Sequence, residues 1–434
     1  MANLKISELS AASALGGTEV GAGVQAAGNV KITADQLKTY CRELKMVLAV
    51  PRIHQSTRYC GRNNHIVRTA AGVWYLFFVL ETGQDLYYMK SSDSGVTWGL
   101  PVLVKTGTLG GVAVWFDKWT PGDSGTLIHV AYFDSAVVLY RSLDTSGDTL
   151  GTERTVFTGA SATQAQNTCL AITKSRANRI YVAFDIDAGT ETGFYKSDDF
   201  PVTAFTIKDN GIHEGVTDWY SLFPGNYADS ADIDCVFNDR SALGLSLKTF
   251  DDSANNWTGV SAETAIIADG GFADISGNTV ASQFSGAVRD SDGHLFVAAW
   301  SNADTLNADL RFFDINGAAS ITERTNVVLN SVDDQAVCAV SIDASGDHNV
   351  YYFGKSDGSE TYATAMKMYY KRSTDDGVNW GAETEVGTGN IARGLSFIAA
   401  AKEIGDGEHV VGQYADDWPP TGGGALSVMV ATLT

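Results

Sequence analysis

Positive charge is scarce in this sequence. Its 30 Lys and Arg face 51 Asp and Glu across 434 residues, a formal net charge of −21. A nucleic-acid binder needs a cationic surface to displace the counterions around phosphate, so this balance excludes that class and argues against an anionic membrane surface. Long apolar runs are missing too: none approaches the ~20 residues that a membrane-crossing helix requires, and membrane insertion is not expected. No basic stretch leads into an apolar one at the N-terminus, so no secretory signal is expected, and the chain is read as made in a reducing cytoplasm. Cysteine is thin. Cys41, Cys60, Cys169, Cys235 and Cys338 are odd in number, far apart and without a CxxC pair. Buried free thiols are expected rather than a disulfide framework or a zinc site. Nor does any stretch sustain the 3.6-residue apolar period of a helix, which excludes a helical solenoid.

Glycine (45) and aromatics (9 Trp, 17 Tyr, 19 Phe) are plentiful. Short aromatic and β-branched runs between glycine turns point to an all-β protein. The runs recur. A basic residue, a hydroxyl residue, any residue and then Asp begin at Lys90 (KSSD), Arg141 (RSLD), Lys196 (KSDD), Lys248 (KTFD) and Arg372 (RSTD), while RFFD at Arg311 keeps the phase without the hydroxyl. The successive steps are 51, 55, 52, 63 and 61 residues. A strand-like run precedes each site, and another, such as VWYLFFVL (73–80) or IYVAF (180–184), precedes that. A period above fifty residues made of short strands fits the four-stranded antiparallel blades of a β-propeller. Six ladder sites make six blades. Runs at 391–401, 408–414 and 425–434, joined by KMVLAV (45–50), would make one more and remove an exposed sheet edge. The expected fold is a seven-bladed propeller over residues 45–434, with six blades as the alternative.

Two ladder sites are nearly identical: KSSDSGVTWG (90–99) and RSTDDGVNWG (372–381). Each letter suits a tight turn between the last two strands of a blade. Asp93 and Asp375 can accept backbone N–H groups inside the turn, and Ser91 and Ser373 can close onto them. Gly95 and Gly377 can take positive φ, and Trp98 and Trp380 can fold back over the blade end. A carboxylate consumed by its own turn is not poised for chemistry, so these eight residues are read as structural. S-x-D-x-G-x-T-W once per blade resembles the Asp-box of sialidase-like β-propellers. SSDSGVTW matches throughout, STDDGVNW has Asn for Thr, and the sites at Asp144, Asp199, Asp251 and Asp314 are degenerate. The resemblance implies the fold. It bears little on activity, because Asp-boxes also occur in glycan-binding and structural propellers.

Residues 1–44 carry no blade pattern and are too few for a core of their own. TADQLKTY (33–40) reads as a short helical close capped by Thr33. This segment resembles a module at the start of many tailed-phage virion proteins, on Ile6, Ser7, Leu9, Ala12, Leu15, Gly17, Glu19, Val24, Gln25, Gly28, Lys31 and Thr33. Ser10 stands where that module usually has Pro. The resemblance implies a phage structural protein located in the virion, anchored to other virion proteins through residues 1–44. Virion fibres are often trimers, so a homo-oligomer, first a trimer, is expected.

A sialidase needs three arginines to hold the substrate carboxylate, a Tyr activated by a Glu, and an Asp acid/base. The family opens on aromatic-Arg-Ile-Pro. Val50-Pro51-Arg52-Ile53-His54 keeps only the Arg and Ile, and no Asp follows through His65. Tyr220 with Glu214, and Arg240, Arg289 or Arg393, lie in no motif. No catalytic residue, metal or cofactor is assigned: DSDGH (290–294) and DASGDHN (343–349) do not complete a calcium loop and read as ordinary turns. Candidate glycan contacts are Trp219, Tyr220, Arg240, Asp416, Asp417, Trp418 and Arg52, which offer stacking surfaces beside hydrogen-bonding groups. Packing between blades is the plainer account of each aromatic taken singly. The expected function is a virion fibre, decoration or receptor-binding subunit that binds a host surface glycan without turnover. The alternative is a sialidase-type glycoside hydrolase acting on such glycans.

Overall fold

Strands dominate because the apolar runs are short, β-branched and aromatic, and Gly, Asp and Asn turns cut each one off. The computed structural model describes residues 20–25, 28–33 and 46–53. It also describes residues 65–431 apart from 81–82, 160–169, 188–190, 209–210, 213–218, 240–243, 258–262, 269–283, 305–306, 318–319, 332–337, 358, 361–366, 387–396 and 416–425.

Six blades are each cut from one continuous stretch, with strands paired in chain order. The first comprises Ile66–Arg68, Trp74–Val79, Leu86–Ser91 and Val102–Lys105. The second opens with Leu109–Phe116, Leu127–Asp134 and Val137–Asp144, whose outer side pairs with both Thr149–Leu150 and Arg154–Thr158. The third is Leu170–Lys174, Ile180–Asp187, Glu191–Ser197 and Phe205–Ile207, and the fourth is Trp219–Pro224, Ile233–Asp239, Gly244–Phe250 and Thr264–Ile267. The fifth holds Phe284–Val288, Leu295–Asp304 and Asn307–Ile315, edged by Ile321–Glu323 and Val328–Ser331; the sixth holds Cys338–Asp343, His348–Phe353, Met368–Ser373 and Thr384–Glu385. Every ladder site falls on the third strand of its blade.

Seven blades were the first expectation; six are found as continuous units, one per ladder site. The two chain ends share a further four-stranded sheet, ordered Met46–Ile53, Leu426–Ala431, Val411–Ala415 and Phe397–Ala400. It lies between the sixth blade and the first. Ile398, Ala400 and Val411 cluster with Ala339 and Tyr351, while Ala399, Ala401 and Val410 cluster with Ile66, Trp74 and Leu76. Apolar contacts therefore run between blades, which explains why the innermost strands Leu109–Phe116, Leu170–Lys174 and Cys338–Asp343 are buried at every position. Blade-to-blade burial is the main stabilising term, at roughly 25 cal/mol per Å² of apolar surface.

Toward the N-terminus, Val20–Gln25 and Gly28–Thr33 pair as an antiparallel hairpin. Thr33 is the last residue of its strand, and the helical close expected beyond it lies outside the described residues. Of the expected buried thiols, Cys235 and Cys338 are buried and form no disulfide.

Candidate functional site

The two full Asp-boxes close within their own turns. Ser91 Oγ donates to Asp93 Oδ1 at 2.8 Å and accepts from Gly95 N at 2.8 Å. Thr97 N reaches Asp93 Oδ1 at 2.8 Å, and its hydroxyl reaches Oδ2 at 2.6 Å. The second box repeats this set: Ser373 Oγ to Asp375 Oδ1 2.9 Å, Gly377 N to Ser373 Oγ 2.8 Å, Asn379 N to Oδ1 2.8 Å and Asn379 Nδ2 to Oδ2 2.7 Å. Asn379 thus does the work of the missing Thr. The hydrogen bonds from Thr97 and Asn379 hold both carboxyls below the usual Asp range. Gly377 has φ of 79°, and a Cβ there would stand 2.5 Å from the Phe312 ring. Trp380 folds back as expected, edge-on to Phe312 at 5.0 Å, with its indole N–H on Thr325 O at 2.8 Å.

The degenerate boxes differ from the ladder reading in two places. In the third blade the locking carboxylate is Asp198, which accepts Thr203 N at 2.8 Å and the Thr203 hydroxyl. Asp199 is exposed and pairs with Arg179. Asp314 locks no turn: it is buried against His294 Nδ1 at 2.8 Å and Arg324 at 2.5 Å. Asp144 and Asp251 keep the local role, accepting Ser146 N at 2.9 Å and Ala254 N at 2.8 Å. The DASGDHN segment is a turn in which Asp343 Oδ1 accepts Ser345 N and Asp347 N at 3.0 Å.

Functional residue types that the sequence reading missed gather where the innermost strands end, on the same side as the box turns. Asp117, just past Leu109–Phe116, contacts His129 Nε2 at 2.8 Å and Lys174 Nζ at 2.5 Å, and Lys174 also pairs with Asp123 at 2.6 Å. Burial opposes the Asp117 charge, but the hydrogen bonds from His129 and Lys174, with the Lys174 charge, outweigh it and hold the carboxyl down to about 2. Burial also pushes His129 down, so the ring is neutral. An ionised Asp117 can only accept, so Nε2 donates to it and Nδ1 accepts from Tyr140, 2.7 Å away. Carboxylate, imidazole and phenol are the parts of a proton relay, yet His129 is 0% and Tyr140 2% exposed. A substrate cannot reach them, and the trio acts as a buried strut.

Lys402 lies beside this cluster. Its ammonium donates to Gly286 O at 2.5 Å and stands 5.0 Å from the Phe223 ring, 5.8 Å from Trp115 and 6.0 Å from Trp119. Those residues sit on or just past the first strands of the fifth, fourth and second blades. Ile342 N of the sixth donates to Lys402 O at 2.9 Å. Burial pushes Lys402 down to about 7. A charged residue one alanine past the small apolar strand FIAA (Phe397–Ala400) is the sequence signal that could have marked it.

The candidate glycan residues are not brought together among the described residues. Tyr220 is a correction: it is fully buried in the cluster of Tyr181, Leu222 and Phe250, with its hydroxyl 3.1 Å from Asp185. Its aromatic ring fills the seam between the third and fourth blades and cannot stack on a sugar. Trp219 and Arg52 are described as strand backbone only. Arg240, Asp416, Asp417 and Trp418, together with Glu214 and Arg393, lie outside the described residues. Arg289 is committed to Asp292 at 2.6 Å and to Asp376 of the sixth-blade box.

The frame is a β-propeller. No family model matches the sequence, and neither does any curated protein. Among solved structures, an ulvan lyase, from a new family of polysaccharide lyase and bound to a glucuronic acid–sulfated rhamnose unit, aligns at a TM-score of 0.54 and 10% identity, covering 89% of this chain and 96% of that one. A second ulvan lyase structure gives 0.52 at 10% identity over the same shares. A Hadza microbial sialidase scores 0.39 at 13% identity, over 86% of this chain and 65% of its own. At such identities the ulvan lyase likeness concerns the fold alone.

Proposed function

We propose that this chain is a bacteriophage virion structural protein whose propeller binds a host surface glycan without turning it over. The observation that carries the non-catalytic reading is the fate of its acids. The box carboxylates are spent on their own turns, the Asp117–His129 pair is sealed from solvent, and Asp314, the partner of His294, is buried and also held by Arg324. The glycan reading is supported by the frame shared with ulvan lyase, a polysaccharide lyase. The virion reading is supported by the letters of residues 1–44, whose hairpin Val20–Thr33 would dock on other virion proteins, with three copies of the chain assembling into a fibre, decoration or receptor-binding subunit.

The test combines binding and turnover on the full chain. Calorimetry is run with sialyllactose and with a glucuronate–sulfated rhamnose oligosaccharide. In parallel, a fluorogenic sialoside reports hydrolysis, and ultraviolet absorbance of an unsaturated uronate reports elimination. Binding to one sugar with no product in either assay is the expected result. Hydrolysis that disappears in Arg52→Ala would establish the competing sialidase-type reading. A map of the particle tests the anchor: contact between residues 1–44 and another virion protein is expected, and absence of the chain from the particle overturns that half.

A further inference from the structure

The loop 225–232 of the fourth blade is held from both sides. Arg176 of the third blade binds the carbonyls of Gly225, at 3.0 Å, and Tyr227, and Ala177 N donates to Ser230 O at 2.8 Å. On the fifth-blade side, Asn226 Nδ2 donates to Asp292 O and to Asn316 Oδ1, both at 3.0 Å. One side chain ties the loop down to its own blade. Tyr227 Oη lies 2.8 Å from Asp234 Oδ1 and 2.7 Å from Thr249 Oγ1, and Thr249 Oγ1 lies 2.8 Å from the same Asp234 Oδ1.

Three oxygens thus stand in mutual hydrogen-bond range, and three edges need three protons. The two hydroxyls supply one each. The third comes from the Asp234 carboxyl. Were Asp234 ionised, both hydroxyls would point at it, leaving the Tyr227 and Thr249 oxygens 2.7 Å apart with no proton between them. Asp234 is 2% exposed and sits directly opposite Thr249 in the strand ladder. We propose that Asp234 is carried as the neutral acid and that its proton latches the 225–232 loop, and with it the third, fourth and fifth blades, so that ionisation opens the latch.

The surrounding groups push the same way. Asp232, two residues back on the same strand face, accepts Asp252 N at 2.9 Å, and Asp229, Asp251 and Asp252 lie around it. Of the nearby cations, Lys196 and Lys208 are taken by Asp252, and Arg176 by loop carbonyls. Burial, with the Asp232 charge, raises Asp234 to about 7 against the opposing hydrogen bonds from Tyr227 and Thr249; burial, with the charges of Asp229, Asp251 and Asp252, raises Asp232 to about 6 against the Asp252 N–H. An acid raised on folding stabilises below its ordinary range and loses that contribution as pH rises through the folded value, so the latch closes in acid and opens above about pH 7.

Backbone hydrogen exchange over 225–232, corrected for its intrinsic pH dependence, tests this on the full chain. Opening about tenfold more frequent at pH 8 than at pH 6 is expected in the wild type, for a latch acid near 7 that returns to the ordinary range when open. The step vanishes in Asp234→Asn, whose amide keeps a donor at both pH values, and persists in Asp232→Asn. A wild type without the step, or a step that survives Asp234→Asn, overturns the proposal. If Asp234→Asn does not fold, the infrared carbonyl band decides. A neutral-acid band present at pH 6 and lost by pH 8 supports the latch, and its absence at pH 6 overturns it.

Discussion

Burial and charge conflict most sharply at Lys402. Its ammonium has a backbone carbonyl and three aromatic faces for company, and desolvation brings it down to about 7 from an ordinary value of 10.5. Between those values the unfolded chain holds a proton that the folded one lacks, so stability rises with pH across the window and the penalty is complete below about 7. Lys402→Met keeps the length and apolar stem. It is expected to raise stability at pH 6 by about 1–3 kcal/mol, as buried charges replaced by apolar isosteres commonly do. It should also flatten the climb in melting temperature between pH 7 and 10. Calorimetry at three pH values checks both, and a lower melting temperature at pH 6 would mean that the aromatic faces outweigh desolvation.

At the scale of elements, blades one, three and five each grip a turn aspartate of the next blade. Tyr75 Oη and Lys90 Nζ meet Asp148 at 2.6 and 2.7 Å; Tyr181 Oη meets Asp252 at 2.9 Å with Lys196 on its other oxygen; Arg289 holds Asp376. Lys90 and Lys196 are the basic residues of the ladder, so the repeat marks joints between blades as well as turns within them. The joints differ in burial: Lys90 and Asp148 are 36% and 37% exposed, Lys196 and Asp252 only 16% and 14%. Asp252→Ala is expected to cost about 2–3 kcal/mol, because it strands a half-buried lysine and a buried phenol. Asp148→Ala should cost under about 1 kcal/mol after solvent screening. Denaturant titration of the two variants ranks them, and equal losses would refute burial as the deciding factor.

Across the whole molecule, stability depends on the sheet that unites the chain ends. Leu426–Ala431 pairs on both sides, with Met46–Ile53 and Val411–Ala415. Ending the chain at residue 425 exposes two sheet edges and separates the first blade from the sixth. The expected loss is about 10 °C or more in melting temperature, or of cooperative unfolding altogether. Removing residues 1–44 should shift it by less than about 2 °C, since the two strands described in that segment, Val20–Gln25 and Gly28–Thr33, form a sheet of their own. A scanning calorimeter separates the outcomes, and a large loss on the second deletion would place residues 1–44 within the folded unit.

What this sequence determined by itself is its periodic part. Turn chemistry is local: Ser91, Asp93, Gly95 and Thr97 interact within seven residues, so the letters alone prescribe the box geometry, and six ladder sites prescribe six blades. The joining of 45–50 with the C-terminal runs was legible too, because an unpaired edge demands a partner. Tertiary structure alone decided the rest. Asp148 lies four residues after its ladder aspartate and Asp252 one, so no common offset announces the joints. Tyr220 reads like a sugar platform until the neighbouring blade closes over it. Asp117, Asp234 and Lys402 look like ordinary polar residues in sequence. Their protonation is set by what surrounds them, and those surroundings come from other strands and loops, for Lys402 more than a hundred residues away.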